Sequence, residues 1–139
     1  MQPAAAKIDR VLETVLYVGD LEAAERFYGG VLGLERDSRQ DGLFVFFKCG
    51  PGMLLLFEPN AAAGSRHVPP HGSKGPGHAC FAVAESALAG WQARLADAGV
   101  AIEQEVSWPR GGRSFYFRDP AGNSLELATP RIWGLPEVG

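Results

Sequence analysis

Apolar positions along the chain fall into short runs of two different periods. From Leu12 to Val18 the apolar and polar residues alternate and are partly β-branched, which predicts a strand. Gly19 breaks that run and Asp20 can cap a helix after it. Leu21 to Val31 then carries apolar residues at helical spacing, up to Gly33. Leu43 to Phe47 and Met53 to Phe57 are two apolar runs joined through Cys49-Gly50-Pro51-Gly52, a strand-turn-strand pattern. The same order then returns. His78 to Val83 reads as a strand, and Ala84 to Ala98 as a helix with Leu88, Trp91 and Leu95 on one face and Gly99 at its end. Val100 to Val106, Ser114 to Phe117 and Ser124 to Ala128 read as strands, the last two joined by Arg118 to Asn123. Phe27, Tyr28 and Trp91 read as core.

The two halves match position by position. At an offset of 70, Phe47 meets Phe117, Lys48 meets Arg118 and Gly52 meets Gly122. Residues 13–18 match 78–83 at an offset of 65, and Gly33 matches Gly99 at 66. Two copies suit a pseudo-twofold pair better than a solenoid. The expected organisation is one domain with modules at about 8–60 and 76–130. The linker, 61–75, lies within Asn60–Gly77, a stretch rich in Gly, Pro, Ala, Ser and His and long enough to lie over a pocket mouth.

Strand alternation then sorts the polar residues. One face of the first strand takes Glu13, Val15 and Tyr17, and the same face of its duplicate takes His78, Cys80 and Ala82. In the last strand Ser124, Glu126 and Ala128 share a face, and the partner of Glu126 in the first half is Leu56. If the two sheets close on each other, Glu13, His78 and Glu126 converge in a largely apolar cavity. Two carboxylates there repel and are costly to bury, and a divalent cation removes that cost. One imidazole and two carboxylates suit Mn, Fe(II), Ni, Co or Zn, with solvent or substrate in the remaining positions.

Composition narrows the class. Hydrophobic residues make up 46% and charged residues 21% of the 139, as in ordinary globular proteins. A net charge of −3 without a Lys/Arg run argues against a nucleic-acid surface. No apolar stretch is long enough to span a bilayer, and Met1 to Arg10 lacks the form of a secretory signal, so a cytoplasmic protein with no membrane partner is expected. Cys49 and Cys80 then read as free thiols.

The segments LETVLYVGDLEAAERFYGGVLGLE (12–35), GPGHACFAV (75–83) and FYFRDPAGNSLELATP (115–130) resemble the vicinal oxygen chelate superfamily, and the resemblance runs from Leu12 to Pro130. This superfamily includes glyoxalases, epimerases, extradiol dioxygenases and the fosfomycin- and bleomycin-resistance proteins. The resemblance implies an α+β fold of two tandem β-α-β-β-β modules, a curled mixed sheet around a pocket. It implies metal ligands at the first and last strands of each half: Glu13, His78, Leu56 and Glu126. Leu56 cannot bind metal and Glu13 stands where His or Gln is usual, so a three-ligand site is expected. Glu58 is an outside candidate that reads as exposed.

The implied activity is a metal-dependent, glyoxalase-like lyase or isomerase acting on a small oxygen-chelating substrate, with Glu126 or Glu13 as proton acceptor. The alternatives are an extradiol-type dioxygenase using Fe(II), a metal-free drug-binding protein, and, further off, a thiol-to-epoxide transferase. A homodimer is expected. Tyr17, Cys80, Trp108 and Arg113 are candidate substrate-binding residues: Tyr17 and Cys80 by face, Trp108 as a pocket wall or as packing, Arg113 for an anionic group. Cys80 shows no cationic neighbour and does not read as a nucleophile. His67 and His71 read as exposed linker residues. Asp119, Pro120, Gly122 and Asn123 read as turn chemistry. The tail, Arg131 to Gly139, carries Ile132, Trp133 and Leu135, which pack against a partner or cover a sheet edge.

Overall fold

A computed structural model of the chain describes residues 6–138. The start of the Met1–Arg10 segment and the last tail residue, Gly139, lie outside them. Each half forms a four-stranded sheet, in the order β1-β4-β3-β2 and β5-β8-β7-β6. The first comprises β1 (Glu13–Tyr17), β2 (Glu35–Gln40), β3 (Phe44–Cys49) and β4 (Gly52–Phe57). The second comprises β5 (His78–Ala82), β6 (Gln104–Ser107), β7 (Arg113–Arg118) and β8 (Ser124–Ala128). In both, the first strand pairs parallel with the last and the other pairings are antiparallel. This is the expected α+β pair of β-α-β-β-β modules.

Helices bridge the parallel pairs. Asp20 caps α1 (Leu21–Glu25) by accepting from the Ala23 amide at 3.0 Å, and the helix runs on as a π-helical stretch, Arg26–Val31. It ends before Gly33, whose φ of 74° suits the glycine there. In the second half a 3₁₀ turn, Glu85–Ala87, leads into α3 (Leu88–Asp97). Leu88 and Leu95 are buried, whereas Trp91 is only half-buried, with the Arg94 guanidinium 5.2 Å from its ring centroid.

Three elements depart from the expected pattern. β2 is a polar edge strand whose ERDSRQ sequence carries no apolar alternation. Within the linker, α2 (Pro59–Ala63) is a short helix capped by Glu58, which accepts from the Ala61 amide at 2.7 Å. Glu58 thus has a local capping role. β6 is shorter than expected, beginning at Gln104 rather than Val100.

Both sheets contribute one face to a shared core. Leu16, Val18, Val45, Phe47, Leu54 and Leu56 come from the first, and Phe115, Phe117, Leu125 and Leu127 from the second. Phe27, Tyr28, Leu88 and Leu95 fill the space with them. Alternation therefore sends Glu13, Val15, Tyr17, Leu55 and Phe57, and likewise His78, Cys80, Glu126 and Tyr116, to the opposite, open faces. Leu56 is fully buried in the core, so it is not the counterpart of Glu126. The register pairs Val15 with Leu55 and Cys80 with Glu126, which makes Leu55 the counterpart. The cause is one extra residue in the second β-turn: Lys48 pairs with Met53, but Arg118 with Ser124. The offset of 70 that holds up to the turn becomes 71 after it.

A buried latch joins the halves. Tyr28 on the first helix donates to Asp119 Oδ2 at 2.8 Å. Burial, then the Asp119 charge and the bond to it, hold the Tyr28 phenol far above its ordinary range. Cys49 and Cys80 are free. Among the described residues no helix is long and apolar enough to cross a membrane.

Candidate functional site

His78 opens β5 and Glu126 sits in the middle of β8, two parallel neighbours. Their side chains lean toward each other, His78 Nε2 lying 3.4 Å from Glu126 Oε1. The imidazole Nδ1 is 2.9 Å from the Ser124 carbonyl. A carbonyl can only accept, so Nδ1 carries a proton, and a ring protonated there alone presents its Nε2 lone pair to the carboxylate. Two acceptors then face each other. Glu126 is only 5% exposed, and its Oε2 is buried without any hydrogen-bond partner.

An orphaned buried carboxylate oxygen is costly, and such a pair invites a cation. The 3.4 Å gap is also the spacing of adjacent ligands held about 2.1 Å from a metal at the tetrahedral angle. A ligating imidazole that donates its other N–H to a backbone carbonyl is the usual outer arrangement of such sites. The two residues therefore fit a divalent metal.

Tyr116, the β7 neighbour of Glu126, stacks on His78 with ring centroids 6.1 Å apart and planes 20° apart. Burial first, and the Glu126 charge second, raise its phenol above the ordinary value, so it stays a hydrogen-bond donor. The same causes, in the same order, push the Cys80 thiol up to about 12, which keeps it protonated and a poor nucleophile. Trp108 donates its indole N–H to Ser114 Oγ at 2.9 Å and is thereby fixed as a wall. With Arg110, Ile132 and Trp133 it lines an open cavity of about 420 Å³, together with His78, Tyr116 and Glu126.

The remaining expected residues lie elsewhere in the chain. Glu13 is exposed at the start of β1, on the other sheet. Among the described residues, no three His, Cys, Asp or Glu side chains come together to hold a metal. The expected convergence of Glu13, His78 and Glu126 is thus corrected for a single chain: His78 and Glu126 meet, and Glu13 does not join them. The reason is that the two sheets share their core faces, which leaves their open faces apart. Arg113 borders a different depression, beside Gln92 and Glu105, and Arg110 is the cation at the His78–Glu126 cavity. Tyr17 faces out from the first sheet, where its hydroxyl and His71 Nδ1 share a hydrogen bond of 2.6 Å. His71 is held edge-on to Phe57, with centroids 4.7 Å apart, so it belongs to an ordered part of the linker. Sequence patterning does not single out Tyr116, Arg110 or Trp133 as site residues. Tyr116 is within its reach, because strand alternation puts it beside Glu126.

Two duplicated β-α-β-β-β modules, with a buried carboxylate beside a half-exposed imidazole on one open face, define the class of scaffold. The model of the Glyoxalase/Bleomycin resistance protein/Dioxygenase superfamily matches residues 7–127, and the chain belongs to that family. It is similar to a glutathione transferase FosA of Serratia marcescens, 35% identical over 112 residues, or 81% of this chain and 74% of the relative. Its structure is similar to that of a lactoylglutathione lyase from Agrobacterium tumefaciens, with a TM-score of 0.89 and 40% identity over 94% of this chain and 100% of the other. An integron cassette protein from the mobile metagenome of the Halifax Harbour sewage outfall aligns with a TM-score of 0.72 and 25% identity over 87% of this chain and 98% of the other.

Proposed function

We propose that the protein is a metal-dependent enzyme of the glyoxalase-like lyase or isomerase type, acting on a small substrate with adjacent carbonyl and hydroxyl oxygens. The observation that carries this reading is the buried, unpartnered Glu126 Oε2 with His78 Nε2 3.4 Å from the other oxygen of the same carboxylate. Similar proteins support it: one is a lactoylglutathione lyase and another a glutathione transferase.

His78 and Glu126 of one copy would hold the metal, and Glu13 of a second copy would complete the set. A homodimer would bring together the two open faces, each carrying part of the ligand set. A divalent ion bound there supplies Lewis acidity toward neighbouring substrate oxygens. Glu126 or Glu13, through a carboxylate oxygen released from the metal, would take a proton from the carbon next to the carbonyl and return it to the neighbouring carbon. Tyr116 would donate a hydrogen bond to the oxygen that gains charge, and Trp108 walls the cavity beside it.

Metal content by mass spectrometry tests this in protein purified without chelator. Near-stoichiometric metal is expected in the wild type and loss of it in His78→Ala, Glu126→Ala and Glu13→Ala. Mixing Glu13→Ala with Glu126→Ala subunits should restore one intact site per mixed dimer. Little metal even after reconstitution would sink the enzyme reading in favour of a ligand-binding protein. Turnover of a 2-oxoaldehyde with glutathione, against thiol addition to an epoxide, separates the lyase from the transferase. Loss of activity under strict exclusion of oxygen would point to a dioxygenase.

A further inference from the structure

The turn that precedes β8 holds His78 from two sides. Asn123 is 1% exposed and all three polar bonds of its side chain are made inside the protein. Its Oδ1 accepts from the Gly77 amide at 2.7 Å, the residue immediately before His78. Its Nδ2 donates to the Tyr17 carbonyl at 3.0 Å, at the end of the strand that carries Glu13, and to Asp119 Oδ2 at 2.9 Å. Asp119 in turn accepts from the amides of Ala121 and Asn123, both at 2.9 Å, so the turn is rigid before it touches anything else.

The neighbouring residue completes the grip. The Ser124 amide donates to the Gly77 carbonyl at 2.9 Å, and the Ser124 carbonyl takes the Nδ1 proton of His78. The backbone at Gly77 comes so close to Leu16 that an added Cβ would lie 3.1 Å from its Cδ2, which favours glycine there. His78 itself is half exposed and would otherwise be free to turn. Its rotation and its tautomer are therefore set by residues 123 and 124.

We infer that Asn123 is a positioning residue: it fixes the backbone at Gly77 so that His78 presents an unprotonated Nε2 beside Glu126, and it spaces that strand from β1. This rests on the metal-site reading and deepens it. Asn123 acts on the site through the backbone beside His78. An amide is needed because the side chain must accept from one backbone and donate to another. Alanine does neither.

The test compares Asn123→Ala with Leu95→Val, a control that loosens the core on α3 and makes none of the hydrogen bonds of the turn. Both should lower the melting temperature. Only Asn123→Ala should weaken Mn²⁺ binding, raising its Kd by on the order of 10- to 100-fold, as expected when a ligand's support is removed. Leu95→Val should stay within about twofold of wild type. A second readout needs no metal. In metal-free protein the His78 imidazole ¹⁵N resonances should report the Nδ1–H tautomer, and Asn123→Ala should shift them and speed exchange of the Gly77 amide. Unchanged Mn²⁺ affinity with unchanged His78 resonances would overturn the inference, as would equal weakening by Leu95→Val. If the wild type takes up no Mn²⁺, the metal reading fails, and the metal-free resonances alone decide the positioning role. If Asn123→Ala does not fold, the wild type still decides: an Nε2–H tautomer or a rapidly exchanging Gly77 amide would overturn it.

Discussion

The two modules share one scaffold but present opposite open faces. On the first, Val15, Leu55, Phe57, Phe44 and Phe46 make an apolar surface, with the Phe44 and Phe46 rings stacked at 4.0 Å. Tyr17 on this face is paired with His71, and Glu13 stands exposed at its edge. On the second, the matching positions are Cys80, Glu126, Ala128, Ser114 and Tyr116, and one carboxylate oxygen is left unsatisfied. The same backbone thus carries a packing surface in one half and a reactive one in the other. Duplication supplied the shape, and the substitution at one register position, Leu55 against Glu126, divides the roles.

Making the second face like the first should give the largest effect. Glu126→Leu is expected to lower metal affinity at least about a hundredfold, because one of only two in-chain donors is lost. It should also stabilise the metal-free protein by about 1–3 kcal/mol, since a buried oxygen without a partner disappears. Calorimetric titration with Mn²⁺ and thermal melts check both signs. A variant that loses stability would mean that Glu126 has a structural partner after all.

The latch between the modules comes next. Tyr28→Phe removes one of four hydrogen bonds to Asp119 and leaves the ring in place. The expected cost is about 2 kcal/mol, the value of a buried bond to a charged acceptor. Denaturant unfolding would show it. No loss would mean that the halves are held by the shared apolar core alone.

How much of this is legible in the sequence depends on which force fixes each element. Faces are legible: alternation alone puts Glu126, Cys80 and His78 together. Register is not, because the inserted residue in the second β-turn keeps the Phe47–Phe117 match intact and displaces everything after it. That slip assigns Leu56 to the open face when it lies in the core. β2 escapes notice because an edge strand with little to bury needs no apolar alternation. The separation of Glu13 from His78 is not legible either, since period-2 patterning says which residues share a face and not which faces meet. Asp119 and Asn123 read correctly as turn residues, but their reach to Tyr28, Gly77 and Tyr17 is tertiary.

Val15 and Cys80 are matching positions, and the thiol reports on the charge beside it. At pH 9 an ordinary thiol is about half ionised, whereas Cys80, pushed up to about 12, stays protonated. In the folded state it therefore holds its proton more tightly than in the unfolded chain. That contribution to stability is fully present below the ordinary value of 9.0 and is lost as the pH rises toward about 12. Burial is the larger cause and the Glu126 charge the second, so Glu126→Gln should lower the thiol pKa only in part. Alkylation by iodoacetamide at pH 9 is expected to speed up by on the order of tenfold in that variant. An unchanged rate would leave burial as the whole cause and place the carboxylate's charge away from the sulfur.

The smallest effect separates Lys48 from Arg118, which occupy the same place before the two β-turns. Lys48 lies 3.7 Å from Glu35 across an exposed strand pair. Arg118 reaches Glu103 at 2.9 Å and also donates to the Gly122 carbonyl at 2.9 Å. Both pairs are exposed, and solvent screens them, so Lys48→Ala should change stability by less than about 0.5 kcal/mol. Arg118→Ala should cost somewhat more, about 1 kcal/mol, because the bond to Gly122 braces the longer turn that ends in Asn123. Raising the salt concentration should erase what Lys48 contributes and leave most of the Arg118 effect, since a hydrogen bond to a carbonyl is less screened than an ion pair. Equal effects at high salt would mean that Arg118 is only a surface charge and that the second turn keeps its shape through Asp119 alone.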